Sequence, residues 1–135
     1  MPVLNVAIAG FGTIGSGVAH VLAKHSENTD AKINLAGILE HDTKGQFARS
    51  WFEKKPELFY KSPEILLESP DIDVIVETIG GSGFALELIS KALQNGKHVV
   101  TANKDLIAVH GAELIEVARE NGCHLLFEAA VAGAI

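Results

Sequence analysis

Gly10-Phe11-Gly12-Thr13-Ile14-Gly15 follows the apolar run Leu4–Ala9 and leads without a linker into a helical pattern. That is the strand-turn-helix context a dinucleotide-binding loop requires. The first glycine permits the tight turn, the second leaves the backbone approachable, and the third lets helix and strand pack closely. Amides at the start of a helix lack acceptors inside it, so they face outward and suit the bridging phosphates of a dinucleotide. An ordinary strand-to-helix turn uses the same residues, and in a chain with 13 glycines the triplet does not decide by itself.

Strands and helices alternate along the rest of the chain. Leu4–Ala9, Ile33–Leu39, Asp73–Thr78, His98–Thr101 and His124–Ala129 read as strands, with Leu58–Tyr60 as a short additional one. Helices are expected over Ile14–Lys24, Phe47–Lys54, Ser62–Glu68 and Ala112–Glu120, and over a segment after Gly83 whose Ala85, Leu88, Ile89, Ala92 and Leu93 share a face. Asn95-Gly96 and Asn121-Gly122 stop two of them. Strands that are apolar throughout, each followed by a helix, predict an α/β fold: a Rossmann-like doubly wound parallel sheet with helices on both faces, in strand order 3-2-1-4-5. Residues 1–135 read as one domain, without repeat or linker.

The composition, 47% hydrophobic and 21% charged, supports a real core. A net charge of -6 without clustered Lys and Arg argues against nucleic acid or a membrane surface as partner. Cys123 is the single cysteine, which excludes an internal disulfide and suits a reducing compartment; lying at the start of an apolar run, it reads as an inert thiol. No leader pattern precedes the first strand and no apolar run nears ~20 residues, so the expected location is the cytoplasm.

Ligands of such sheets lie beyond the carboxyl ends of the strands. Glu40 closes the second strand, where a carboxylate accepts hydrogen bonds from a ribose and repels a 2′-phosphate, favouring NAD over NADP. It stands 25 residues past Gly15, against the about 20 of the motif, so a solvated strand-end carboxylate is the competing reading. His41 beside it can offer positive charge to a phosphate. Lys104 follows the strand ending at Thr101 and projects toward the edge where a nicotinamide would lie, placed to protonate a carbonyl oxygen or hydrogen-bond a hydroxyl in the reverse direction; from spacing alone, a lysine in a loop is usually just solvated. The histidines give no metal spacing: the nearest pair, His20 and His25, is misaligned on a helix.

Three blocks carry a family likeness. Val99-Val100-Thr101-Ala102-Asn103-Lys104 with Leu106-Ile107-Ala108, Glu77-Thr78-Ile79-Gly80-Gly81, and Phe127-Glu128-Ala129-Ala130-Val131-Ala132-Gly133 occur in the order seen in homoserine dehydrogenases. The chain resembles the nucleotide-binding domain of that family over essentially its whole length. The resemblance implies NAD or NADP as cofactor and the interconversion of aspartate semialdehyde and homoserine, on the route to threonine, methionine and isoleucine. It places Gly10, Phe11, Gly12, Thr13, Ile14 and Gly15 in the phosphate loop, adds Glu40, Thr78, Gly80 and Lys104 to the cofactor contacts, and makes Lys104 the catalytic lysine. It further implies a structural sodium or potassium ion held by Glu128, Val131, Gly133 and Ile135, mostly through backbone carbonyls. Many relatives place an arginine near position 41 to accept NADP; Glu40-His41-Asp42 here departs from that and tells against a strict NADP assignment.

The family continues past the position of Ile135 into a second domain bearing the substrate pocket and a homo-oligomer interface. The chain is accordingly expected to be a fragment that binds cofactor weakly and reduces nothing alone. Two other readings stand beside this one: another two-domain oxidoreductase such as an aspartate or sugar dehydrogenase, and a non-catalytic dinucleotide-sensing module.

Overall fold

A computed structural model describes residues 3–28 and 32–127. Strands β1 (Val3–Ala9), β2 (Lys32–Leu39), β3 (Phe59–Tyr60), β4 (Val74–Glu77), β5 (His98–Thr101) and β6 (Leu125–Phe127) alternate with helices α1 (Thr13–Asn28), α2 (Arg49–Lys54), α3 (Pro63–Glu68), α4 (Gly83–Gln94) and α5 (Lys104–Glu120). A 3-10 turn, Pro56–Leu58, precedes β3. The sheet runs β3-β2-β1-β4-β5-β6, and every pairing is parallel. The expected doubly wound order is therefore present, extended by β6 beside β5. The order reverses at β1, whose carboxyl end carries the glycine loop, between β2 and β4.

Both faces of the sheet are covered, because side chains alternate along β1. Ala7 and Ala9 enter a core with Leu88, Ile89 and Leu93 of α4 and Leu106 and Leu114 of α5. Ile8, between them, enters a second core with Ala19 of α1, Phe11, Ile38 and Ala48. Each fully buried Leu or Ile contributes about 2 kcal/mol by area removed from water, which explains the apolar strands. All five apolar-face residues expected on α4 are buried.

Helix α5 begins at Lys104 rather than near Ala112. Asn103 caps it, its Oδ1 accepting the Leu106 amide at 3.1 Å, and burial of Leu106 holds the first turn to the sheet. Gly111 and the β-branched Ile107 and Val109 lower the helical signal there, and packing overrides it. Helix α3 starts at Pro63 with Ser62 as its cap, as the Ser-Pro-Glu run favours.

At the opposite edge of the sheet the buried Lys97 donates from Nζ to the carbonyls of Ser69 and Ile72, tying the turn before β5 to the loop before β4. Burial lowers its pKa, against the upward pull of Asp73 and Asp71. No helix among the described residues is long and apolar enough to cross a membrane.

Candidate dinucleotide site

Gly10 adopts φ +95°, and the backbone of Ile79 lies 2.9 Å from where its Cβ would fall. A side chain there would meet both a left-handed backbone and another strand's continuation. At Gly15 a Cβ would lie 2.1 Å from the Gly10 carbonyl oxygen, so α1 approaches the end of β1 more closely than any other residue allows. Gly12 differs: nothing lies within 4 Å of its Cβ position. The first and third glycines thus serve the fold, while the second leaves open space over the backbone. The Ser16 amide bonds to the Gly12 carbonyl at 3.0 Å, so the amides just before it lie at the helix start, where a phosphate is accepted. This loop fits the bridging phosphates of NAD or NADP by its own geometry.

Two clefts meet at the loop. One, about 420 Å³, runs along Gly10–Gly12, Glu40, His41, Lys61, Ile79 and Phe84. The other, about 330 Å³, is bounded by Ile14, Glu77, Gly80, Gly81, Asn103 and Lys104. Thr78 lines both. A ligand with two ring systems joined by a charged bridge matches that arrangement: one lobe in each cleft and the bridge over the glycines.

The residues named from sequence fall into distinct places. Gly10, Phe11 and Gly12 line the first cleft, Ile14, Gly80 and Lys104 the second. Phe11 itself is only 3% exposed; its ring packs edge-on against Trp51 and Phe59, at 5.8 and 6.2 Å between centroids. It anchors the loop to the core rather than offering its side chain to a ligand. Glu40 is more than a solvated carboxylate: Oε1 accepts the Phe11 amide at 3.0 Å and Oε2 the Asp42 amide at 3.1 Å, bracing the loop while lining the cleft. Lys104 stands at the first position of α5 with its side chain exposed toward the second cleft, and no ion pair among the described residues engages it.

Sequence reasoning placed Glu77 and Asn103 at strand ends without giving either a role, and it did not single out Lys61 or Phe84. Asn103 and Glu77 follow or end strands, a signal that marks the right edge of the sheet but not which side chain matters. Lys61 and Phe84 come from elements whose approach to the loop only packing decides. Glu128, Val131, Gly133 and Ile135, named for a monovalent ion, lie outside the described residues. Among the described residues no cluster of three or more His, Cys, Asp or Glu is arranged to hold a metal.

Residues 10–128 match the family described as "Homoserine dehydrogenase, NAD binding domain". The chain belongs to this family. It is 42% identical to a homoserine dehydrogenase of Pseudomonas aeruginosa over 139 aligned residues, covering 100% of this chain and 31% of that relative. The fold superposes on a homoserine dehydrogenase of S. aureus with a TM-score of 0.82 at 34% identity, covering 96% of this chain and 33% of that one. A hyperthermophilic archaeal homoserine dehydrogenase, solved in complex with NADPH, matches with a TM-score of 0.74 at 27% identity, covering 96% of this chain and 44% of that one. The chain thus spans about a third of the length of its curated homoserine dehydrogenase relatives.

Proposed function

We propose that this chain is the cofactor-binding part of an enzyme that interconverts L-homoserine and L-aspartate 4-semialdehyde with NAD or NADP. The observation that carries the reading is the pair of clefts meeting at Thr78 over a glycine loop whose second glycine leaves open space. Family membership and the NADPH complex of the archaeal relative support it.

In this reading the loop amides from Gly12 to Gly15 receive the bridging phosphates, and Glu40 accepts a ribose hydroxyl with the lone pairs its backbone donors leave free. Lys61 brings positive charge and His41 an imidazole to the same cleft, so it takes either cofactor form, with Glu40 favouring NAD. Bound nicotinamide supplies the hydride chemistry. Lys104 holds the substrate's carbonyl oxygen and its ammonium delivers a proton to that oxygen on reduction; on oxidation the neutral amine takes the proton back from the substrate hydroxyl. Positioning provides most of the acceleration, and the rest of the enzyme contributes the substrate pocket and a homo-oligomer interface. A sodium or potassium ion at Glu128, Val131, Gly133 and Ile135 belongs to the same reading, oxygen donors suiting a hard cation.

Titration of the chain with NADH and NADPH, followed by nicotinamide fluorescence, tests the assignment. Saturable binding of at least one form, lost in Gly12→Val, is expected. Binding that survives Gly12→Val unchanged places the dinucleotide elsewhere and overturns it.

A further inference from the structure

Glu77 has no exposed surface, and no ion pair among the described residues includes it. A buried carboxyl is retained at a cost unless its oxygens are engaged. Here Oε2 accepts the amides of Ile79 and Gly80 at 2.8 and 3.1 Å, and Oε1 accepts the Thr101 hydroxyl at 2.5 Å. The Thr101 oxygen in turn accepts the Asn103 amide at 3.0 Å. Asn103 Nδ2 donates to the Gly81 carbonyl, closing a ring back to the turn that Glu77 holds, while Asn103 Oδ1 caps α5. Each hydroxyl and amide in the ring is used in one consistent donor direction.

The ring supplies what packing does not. Gly80 and Gly81 have φ of +82° and +72°, and nothing lies within 4 Å of either Cβ position. Neither glycine has a side chain to anchor the turn, and hydrogen bonds from Glu77 and Asn103 hold it. An apolar pair at positions 77 and 101 would fill the same space between the strands but would leave the turn untethered. The turn and the start of α5 form facing walls of the cleft that holds Lys104.

We propose that Glu77 is a positioning residue: acting through Thr101 and Asn103, it clamps the Gly80–Gly81 turn to the start of α5 and so sets the shape of the nicotinamide cleft around Lys104. The ligand part of this inference rests on the dinucleotide reading above. The clamp predicts an effect that falls mainly on one lobe of the ligand, because Thr101 and Asn103 take no part in the cleft along Glu40 and Phe84, which the clamped turn reaches only through Ile79 and its neighbour Thr78.

The test uses Thr101→Val, which keeps shape but removes the hydroxyl, with Thr101→Ser as the restoring variant and Glu77→Gln as the direct lesion. Amide hydrogen exchange is read at Ile79 and Gly80, and affinity is measured for NADH and for ADP-ribose, which lacks the nicotinamide. In Thr101→Val, exchange at the two amides should rise about tenfold or more with β1 unchanged, and NADH affinity should fall about tenfold while ADP-ribose affinity stays within about twofold, the scale of one buried hydrogen bond lost. Thr101→Ser should restore both. Wild-type exchange in Thr101→Val, or an equal loss for both ligands, overturns the clamp, since general loosening would weaken both lobes alike. A wild-type chain that binds neither compound overturns the dinucleotide reading, and the exchange rates then decide the clamp by themselves. Should Glu77→Gln fail to fold, the Thr101 pair carries the same comparison.

Discussion

The Thr78 hydroxyl donates to the Gly10 carbonyl at 2.7 Å, linking the end of β4 to the first glycine of the loop across 68 residues of sequence. The same hydroxyl lies 3.2 Å from the Ala9 carbonyl and 2.9 Å from where a Cβ on residue 15 would sit. Loop, helix α1 and β4 therefore share one contact point. Thr78→Val should lower stability by about 1–2 kcal/mol, the cost of leaving a partly buried carbonyl without its donor, and Thr78→Ser by much less. Urea unfolding of the three proteins decides; equal midpoints would remove the hydroxyl from the account.

Gly12 and Gly15 separate binding from folding. Gly15→Ala drives a methyl into the Gly10 carbonyl oxygen and should destabilise the fold by roughly 2–4 kcal/mol, the range for forced overpacking against backbone. Gly12→Ala meets nothing, so its melting temperature should stay near wild type while dinucleotide affinity falls. Calorimetry beside a cofactor titration reads both. A Gly12→Ala protein that melts early would show that the second glycine also serves the fold.

In the proposed function Lys104 serves proton transfer more than cofactor binding. In a protein carrying the remaining domain, Lys104→Ala should reduce kcat by about 10²–10⁴-fold, the range for a positioned acid or base, with little change in cofactor Kd. Steady-state kinetics beside a binding titration distinguishes the two effects. An unchanged kcat removes the catalytic role.

Lys97 makes stability depend on pH in a definite direction. Burial holds its folded pKa below the ordinary lysine value of 10.5, so between the two the unfolded chain binds more protons and stability rises with pH through that window. Below it, both states are charged and the desolvation cost is present in full. Against Lys97→Met, which forfeits the bonds to Ser69 and Ile72 and should cost about 1–3 kcal/mol near neutral pH, wild type should gain further as pH climbs toward the lysine range. Chemical denaturation at pH 7 and pH 10 checks the sign; a gap that narrows contradicts it.

Glu40 braces the Phe11 amide and lines the cleft at once. Glu40→Gln keeps one acceptor and removes the charge that opposes a 2′-phosphate, so the ratio of NADPH to NADH affinity should rise several-fold, about 1 kcal/mol for one partly exposed charge. Parallel titrations of the two cofactors measure it. A fixed ratio would confine Glu40 to supporting the loop.

The fold was legible because its signals are local. Apolar strands, the α4 face of Ala85, Leu88, Ile89, Ala92 and Leu93, and the stops at Gly96 and Gly122, both with positive φ, each follow from residues a few positions apart. The start of α5 was not legible: Asn103 resembles a loop residue until Leu106 is buried against the sheet. Phe11 read as a ligand contact because it sits in the motif, and its ring turned inward because Trp51 and Phe59, 40 and 48 positions later, close over it.

By itself, the sequence determined the parallel α/β architecture and the sheet edge where the site lies, because periodicity, glycine sterics and motif spacing act over short stretches of chain; the family likeness came from its three residue blocks. Only the tertiary structure decided that Glu40 braces Phe11, that Thr78 supports Gly10, and that Glu77 reaches Thr101. Those partners are 24 to 68 residues apart, and a buried polar atom must take whichever donor the packed strands bring within about 3 Å.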